Sequence, residues 1–350
     1  MTKLFYREKE FIGLDINHTD IKVMSIDPTR WTVQGYGAMD VDAAEMKKAL
    51  EEGGDYLALN LRKLLSEKIL GALPSAQVIL GIPTSLTYSR TFTVPASAKK
   101  NLREAVELEV GQYVPIPVAL LYIDYEIVAQ TKEEITVIMS AAPQAIINNI
   151  LAACKQVDLD VNMIEPSINS VARVLKTTED GDLATLIVDI GPATTDIAVL
   201  DGGSIRVTGG ATIGGNTFTL SIAKKLGVAL ENAHQLKVLN GLSPGPRQKK
   251  ITAALDPDLQ KIASEARRVM RYYTERLGGQ KIEQLLVVGG GSNVPGIGEY
   301  FTNELVMPAR VASPWQKFDF GALAQPAKQF RPRYIAVAGL GSVTMQEVWG

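Results

Sequence analysis

Apolar residues run at Phe11 to Ile16, Ile21 to Ile26 and Trp31 to Met39, and short polar or Asp27-Pro28 breaks separate the runs. The pattern predicts three strands in an antiparallel meander. From about Asp42 to Leu70 the period changes, with Met46, Leu50, Leu57, Leu61, Leu64 and Leu65 at helical spacing and Gly53-Gly54 as a break. Gln77 to Ile82 returns to strand. The same grammar recurs later: Thr185 to Ile190, a polar loop, Asp196 to Leu200, a turn at Asp201-Gly202-Gly203, Ser204 to Val207, then a helix beginning near Gly215. The chain therefore reads as duplicated.

Overlaid, Gly13-Leu14-Asp15-Ile16-Asn17 and Ile187-Val188-Asp189-Ile190-Gly191 each place a carboxylate at the tip of an apolar strand, just before a tight turn. Two such tips can face one another across a cleft. A nucleotide triphosphate needs backbone N–H groups for its oxygens and carboxylates for hydrated magnesium, and a hairpin tip supplies both. In the second tip Gly191 permits close approach, Thr194 and Thr195 offer donors, and Asp189 is placed to hold a metal-bound water. A plain strand-to-turn exit is the alternative reading of the same residues.

A third glycine cluster adds weight. Leu285 to Val288 runs into Gly289-Gly290-Gly291-Ser292, and a helix opens after Pro295, a geometry suited to a flat base or a phosphate. The spacing is not GxGxxG, and GxxxxGK[ST] does not occur. On the preceding helix, read as about Pro257 to Leu277, Glu265, Arg268 and Tyr272 share a polar stripe that could clasp a ribose or adenine, or form a solvated ion pair.

Composition narrows the classes. The 350 residues are 46% hydrophobic and 21% charged, enough for two domains and against disorder. With 36 Lys and Arg against 38 Asp and Glu, no net positive charge favours nucleic acid. The single cysteine, Cys154, and two histidines, His18 and His234, argue against disulfides and structural zinc and for a reducing cytosol. Charges from Lys3 to Glu10 interrupt any secretory apolar run, and no stretch reaches the ~20 apolar residues of a bilayer span.

The order of these pieces resembles the actin, Hsp70 and sugar-kinase ATPase superfamily. DINHTDIK from Asp15 resembles its first phosphate motif, MIEPSINSVARVL from Met163 its first connecting helix, and DIGPATTDI from Asp189 its second phosphate motif. VVGGGSNVPGIGEYF from Val287 resembles the adenosine motif and RYIAVAGLGSV from Arg333 the second connecting helix. The segment from Arg90 to Val128, with a Pro-ended strand, an amphipathic helix and a Tyr-Val-Pro loop, is similar to the extra subdomain of the PilM family of type IV pilus proteins, cousins of FtsA.

The resemblance implies an α/β actin-like ATPase fold: two duplicated ribonuclease-H-like halves around a nucleotide cleft. The first half is expected at 1–180 plus 331–350 with an interaction insert at 76–160, the second at 181–330 with an adenosine-side subdomain at about 222–284. ATP or ADP with Mg2+ is implied, held by Asn17, His18, Thr19, Lys22, Gly191, Thr194, Thr195, Gly214, Gly215, Glu265, Arg268, Gly289, Gly290, Gly291 and Ser292, the metal by Asp15 and Asp189 through water, with Glu165 and Asp189 as the catalytic candidates. Asn17 and His18 replace the family's usual Gly and Ser or Thr, so binding with slow turnover is expected. A protonated His18 would pair with phosphate near pH 6 to 7; the alternative is a solvent-facing turn residue.

The implied role is a cytoplasmic scaffold that grips the tail of a PilN-like bitopic membrane protein, alongside other pilus platform or motor proteins, with self-association left open. Val343 to Gly350 lacks the basic face of a membrane-lying helix, so membrane contact is expected only through the partner. FtsA-like division proteins and small-molecule kinases of the same fold are the rivals. A kinase needs a base for its acceptor hydroxyl, and none stands out beyond the phosphate motifs.

Overall fold

The computed structural model describes residues 10–179 and 183–349. The charged run from Lys3 to Lys9 and the expected boundary at 180–181 lie outside the described residues. The first sheet contains β1 (Ile12–Ile16), β2 (Asp20–Asp27), β3 (Thr32–Asp40), β4 (Leu70–Gly71), β5 (Gln77–Ile82) and β9 (Asp160–Pro166), in the order β4-β3-β2-β1-β5-β9. The second contains β10 (Thr185–Ile190), β11 (Thr195–Asp201), β12 (Ser204–Ala211), β13 (Gln284–Val288) and β14 (Ala309–Val311), in the order β12-β11-β10-β13-β14.

The duplication is literal. In each half the first strand pairs antiparallel with the second and parallel with a later one: β1 with β2 and β5, β10 with β11 and β13. Asp15 and Asp189 occupy equivalent ends.

Period-two alternation explains the layers. Leu186, Val188 and Ile190 face a core shared with α6 (Gly215–Leu226), α8 (Gln248–Arg271) and α9 (Ile297–Leu305), while Ile187 turns to the opposite face. In β1, Ile12, Leu14 and Ile16 pack on α1 (Ala43–Glu52), α2 (Tyr56–Glu67) and α4 (Gln144–Lys155). Between the sheets lie the two connecting helices, α5 (Ser167–Lys176) and α10 (Ile335–Gly341). Their backbones touch at Gly339, where a Cβ would stand 2.0 Å from the Ser170 carbonyl oxygen. Only glycine fits that crossing. Beside it, Tyr36 meets Phe320 and Tyr334 edge-on at 5.8 and 5.4 Å, contacts worth about 0.5–1.5 kcal/mol each beyond their burial.

The insert is narrower than 76–160. β5 is paired on both edges inside the first sheet, β9 extends that sheet, and α4 packs on α1 and α2, because Val78 to Ile82 and Ile147 to Cys154 are apolar on the faces the first core needs. The separate unit is a sheet of β6 (Tyr88–Pro95), β7 (Leu121–Gln130) and β8 (Glu134–Pro143), ordered β6-β8-β7, under α3 (Leu102–Tyr113). Its own core joins Phe92, Val94, Leu102, Val106, Val110, Ile135, Val137 and Met139. Tyr113, the last residue of α3, is half exposed.

The helix expected to begin near Gly215 is α6, which ends at Gly227, whose φ is +65°, and α7 (Leu230–Leu239) follows. One helix limit also differs. α8 begins at Gln248 and runs through Pro257, since Ile251, Ala254 and Leu255 continue its buried face, and then loosens into a π-helical turn at Tyr272–Arg276.

Candidate functional site

The first tip is closed by its own polar groups. Asn17 N–H donates to the Asp20 carbonyl at 2.9 Å, and Asn17 Nδ2 donates to Asp15 Oδ2 at 2.7 Å. Lys22 Nζ, in register opposite Asp15, donates to Asp15 Oδ2 at 2.8 Å and Asp20 Oδ1 at 2.7 Å, and Ser167 Oγ donates to Asp15 Oδ1 at 2.8 Å. Lys22 is buried, so in this state it neutralises two carboxylates and does not project into the cleft, correcting the phosphate-reaching role. Burial disfavours its charge, but Asp15 and Asp20 outweigh that and hold its pKa above the ordinary lysine range. Thr19 lends its carbonyl to Val41 N–H.

His18 Nε2 lies 3.3 Å from Ser85 Oγ, across from the start of the insert. Burial lowers its pKa. That shift disfavours the expected protonated, phosphate-pairing imidazole.

In the second tip Gly191 N–H donates to the Thr194 carbonyl at 2.9 Å, and the Gly191 and Pro192 carbonyls accept from Gly215 and Asn216 N–H. This stitches the tip to the start of α6, bringing Gly191, Thr194, Gly214 and Gly215 together. Thr195 points away: its hydroxyl is buried and donates to the Ile213 carbonyl at 2.7 Å, so it is not a free ligand group. Asp189 stands opposite Asp196 in the ladder. Burial, then Asp196, then Asp15 across the cleft push the Asp189 carboxyl up to about 7, and burial followed by Asp15 raises Asp196 to about 6.

Lys237 of α7 escaped sequence reasoning. Its buried Nζ donates to the Gly215 carbonyl at 2.7 Å and Thr219 Oγ1 at 2.8 Å, and burial lowers its pKa to about 8. A lysine between Leu236 and Val238 carried too little signal.

The glycine loop after β13 closes on the second tip. Gly289 has φ +78°, and a Cβ there would stand 2.2 Å from Asp189 Oδ1. Ser292 is buried beside it. Asn293 Nδ2 donates to the Gln329 carbonyl at 2.7 Å, and Arg333, further along the same segment, pairs with Asp20 at 3.1 Å and Asp40 at 2.6 Å. The segment thus ties the second half's glycine loop to the first tip.

Glu265 and Arg268 pair with one another, and Glu265 accepts from Gly210 N–H at 3.3 Å on β12, which lies three places from β13 in the sheet order. Without a nucleotide the stripe forms the ion pair that was the alternative reading of the same residues. Glu165 is also spoken for. Arg173 holds it bidentately at 2.6 and 3.0 Å while also bonding the Gly339 carbonyl and Glu347, so Glu165 is a clamp between β9 and α5 and not a free carboxylate for water.

Among the described residues no group of three or more His, Cys, Asp or Glu is arranged to enclose a metal directly. The donor set nonetheless suits a hydrated dication. Asp189 and Asp196 carry carboxyls whose pKa is raised and which make no ion pair with a lysine, and Asp15 faces them already satisfied by Lys22, Asn17 and Ser167. Magnesium held through water would relieve the repulsion that raises Asp189.

The sequence model of the family described as type IV pilus assembly protein PilM matches residues 13–342. This chain belongs to the PilM family. Among solved structures, a PilM-PilN type IV pilus biogenesis complex superposes with TM-score 0.80 at 21% identity, covering 98% of this chain and 100% of that one. MreB5 of Spiroplasma citri bound to AMPPNP gives TM-score 0.53 at 15% identity over 95% of each chain. The fold is thus the actin-like ATPase fold. Ethanolamine utilization protein EutJ of Escherichia coli K12 is 29% identical over 151 residues, 42% of this chain and 49% of that protein. Cell division protein FtsA of Neisseria meningitidis is 28% identical over 203 residues, 52% of this chain and 47% of that protein. The chain spans about half the length of these two relatives.

In this PilM-family chain an opening of about 350 Å³ adjoins the second tip. Thr84, Ser85, Ser89 and Arg90 line one side, Thr194, Asp196 and Thr208 to Thr212 the other. Among the described residues no helix is long and apolar enough to cross a membrane.

Proposed function

We propose that this chain is a nucleotide-binding scaffold of the type IV pilus inner-membrane platform. ATP or ADP with Mg2+ sits between the two halves, with Asp189 and Asp15 facing the hydrated metal and the loops at Asn17 to Thr19, Gly191 to Thr194 and Gly289 to Ser292 around the phosphates and nucleoside. The partner is the cytoplasmic tail of a PilN-like bitopic membrane protein, through which the chain is recruited to the inner face of the membrane; other platform or motor proteins and self-association complete the assembly.

The observation that carries this reading is the placement of two equivalent carboxylate tips, Asp15 and Asp189, so close that Asp15 adds to the rise of the Asp189 carboxyl, beside an insert with its own core. Bound nucleotide sets the angle between the halves, since α5 and α10 cross between them. Turnover is slow, below the usual enzyme range of about 1–1000 per second, because Glu165 is neutralised by Arg173 and Asn17 and His18 close the first tip. Co-purification of the full chain with the PilN-like tail, with and without Mg-ATP, tests the reading. Retention that changes with nucleotide supports it, whereas no retention in either condition refutes it.

A further inference from the structure

Charge is unevenly spread along the chain. Residues 215–283 hold twelve Lys and Arg against six Asp and Glu, whereas the whole chain has 36 against 38. Much of the excess lies on one helix face. Lys250, Lys261, Arg268 and Arg271 face solvent on α8 at spacings that keep them on one stripe, with Lys249 beside its start. The other exposed residues of the helix are Ala253, Pro257 and Ser264, so no acid shares that face. From Lys250 to Arg271 the stripe is about 32 Å long at the helical rise of ~1.5 Å per residue.

The acids of α8 lie off the stripe and are engaged. Asp256 accepts from the Tyr300 hydroxyl at 3.1 Å, Asp258 from Ser221 Oγ at 2.6 Å, and Glu265 from Arg268 and Gly210 N–H. The ion pairs of α8 among the described residues are Lys261 with Asp258 at 3.8 Å, Arg267 with Glu304 at 3.1 Å and Arg268 with Glu265. Lys249, Lys250 and Arg271 are left without one. Two lysines in the first turn, with no acid there, oppose the helix dipole, so the stability of α8 itself does not explain them. Leu239, 76% exposed at the end of α7, stands near this basic start, since Gln248 Nε2 donates to the Leu242 carbonyl at 3.0 Å and holds the connecting loop against α8.

We infer that this stripe lies against an anionic lipid surface, with Leu239 entering the headgroup layer at its basic end. The inference rests on the scaffold reading above, which puts the chain under the inner leaflet, and it adds a direct surface contact, without a span, to the one made through the partner. An exposed helix face carrying long cations that lack acceptors complements charge spread over a plane, as in a leaflet rich in acidic phospholipid. A second copy is a poorer match. On α3 of the insert Glu107 is paired with Arg103 at 3.0 Å, Glu104 accepts from Asn101, and Lys99 and Lys100 stand just before the helix. Held at two places, by the tail and by the stripe, the chain keeps one side toward the leaflet, and the tail raises the local concentration at which the weaker lipid contact forms.

The test is sedimentation of the full chain with extruded vesicles at low and at physiological salt. The parent should bind vesicles of phosphatidylglycerol and phosphatidylcholine in equal parts at least tenfold more tightly than phosphatidylcholine alone, and salt should weaken that binding. Lys249→Glu together with Lys250→Glu should reduce it at least tenfold. Both changes put acids in the first turn of α8, where they favour the helix, so the loss does not come from unfolding. Arg271→Gln and Leu239→Ser should each weaken binding severalfold, whereas Lys99→Glu with Lys100→Glu on the insert should leave it unchanged. Retention on the PilN-like tail, measured separately, should be the same for the Lys249, Lys250 variant and the parent. No preference for phosphatidylglycerol in the parent, or the full preference kept by that variant, overturns the lipid contact and leaves the scaffold reading standing. Vesicle preference in a parent chain that does not retain the tail upholds the stripe and refutes the scaffold reading alone. Tail retention lost in the variant assigns the stripe to the protein partner, and tighter binding of duplex DNA than of anionic vesicles assigns it to nucleic acid; either overturns the lipid contact. Self-association that the variant abolishes, without vesicle binding, assigns the stripe to a second copy and overturns it too.

Discussion

Lys22 Nζ sits 2.8 Å from Asp15 Oδ2 and 2.7 Å from Asp20 Oδ1, with all three side chains buried. Asp20 is held below the ordinary carboxylate range even though burial opposes this, because Lys22 and Arg333 outweigh it. Removing the lysine leaves two buried carboxylates short of a cation. Lys22→Met should therefore cost about 3–5 kcal/mol, the usual penalty for breaking a buried ion pair from one side. Urea unfolding of the nucleotide-free chain checks this; a loss below 1 kcal/mol would mean that water reaches the pair.

Asp189 and Asp196 make stability depend on pH in the opposite sense to a salt-bridged acid. Their native pKa values, about 7 and about 6, exceed the unfolded value near 3.9, so between those limits the native state holds protons the unfolded chain has released. Their contribution is complete below about pH 4 and is lost as pH rises through 6 and 7. The urea midpoint should fall over that window, less steeply in Asp189→Asn. Magnesium held at Asp189, as proposed, would favour the carboxylate, so Mg-nucleotide binding should strengthen from pH 6 to 8 and release protons, measurable by calorimetry in two buffers of different ionisation enthalpy.

Much of this architecture was legible because its signals are local. The strands from Phe11 and Thr185 are apolar runs ending in turn residues, and the two Asp-tipped hairpins repeat the same spacing. What escaped depends on pairing at a distance. Lys22 reads as a phosphate ligand until Asp15 and Asp20 are seen to claim it, and Glu165 reads as a catalytic acid until Arg173, eight residues on, folds back over it. The Glu265 to Arg268 stripe was visible on its helix, but which strand lies beneath is a property of sheet order. The insert was drawn too wide because Val78 to Ile82 is an apolar run whether a strand is central in one sheet or begins another.

Glu165 gives a prediction that separates structure from catalysis. Glu165→Gln loses the bidentate contact to Arg173 and leaves a part-buried guanidinium part-satisfied, which should destabilise the chain by about 1–3 kcal/mol. Any slow ATP hydrolysis should persist, measured as phosphate release well below the variant's melting temperature. Hydrolysis abolished in a stably folded variant would return Glu165 to the chemistry.

Val306 offers a stability gain away from the cleft. It ends α9 in the left-handed region at φ 53°, 90% exposed, a conformation costly for a β-branched residue. Val306→Gly should add about 1 kcal/mol, because glycine adopts this helix-ending geometry without the Cβ clash and no buried contact is lost. Thermal unfolding would show the rise, with Mg-nucleotide affinity unchanged.

The glycine loop provides the sharpest test of where the nucleotide lies. A side chain at Gly289 would strike Asp189, and one at Gly291 would strike Ile190 at 2.2 Å, so substitutions there disturb the fold itself. At Gly290 a Cβ meets nothing within 4 Å and the backbone needs no positive φ. Gly290→Val should therefore fold with nearly the parent's stability while placing two methyl groups in the open space beside the second tip. If the nucleoside occupies that space, the variant should lose the ligand-induced rise in melting temperature. In the parent that rise corresponds to about 2.7 kcal/mol when nucleotide reaches ~100 times its dissociation constant. A folded Gly290→Val protein that keeps the full rise would move the nucleoside away from this loop.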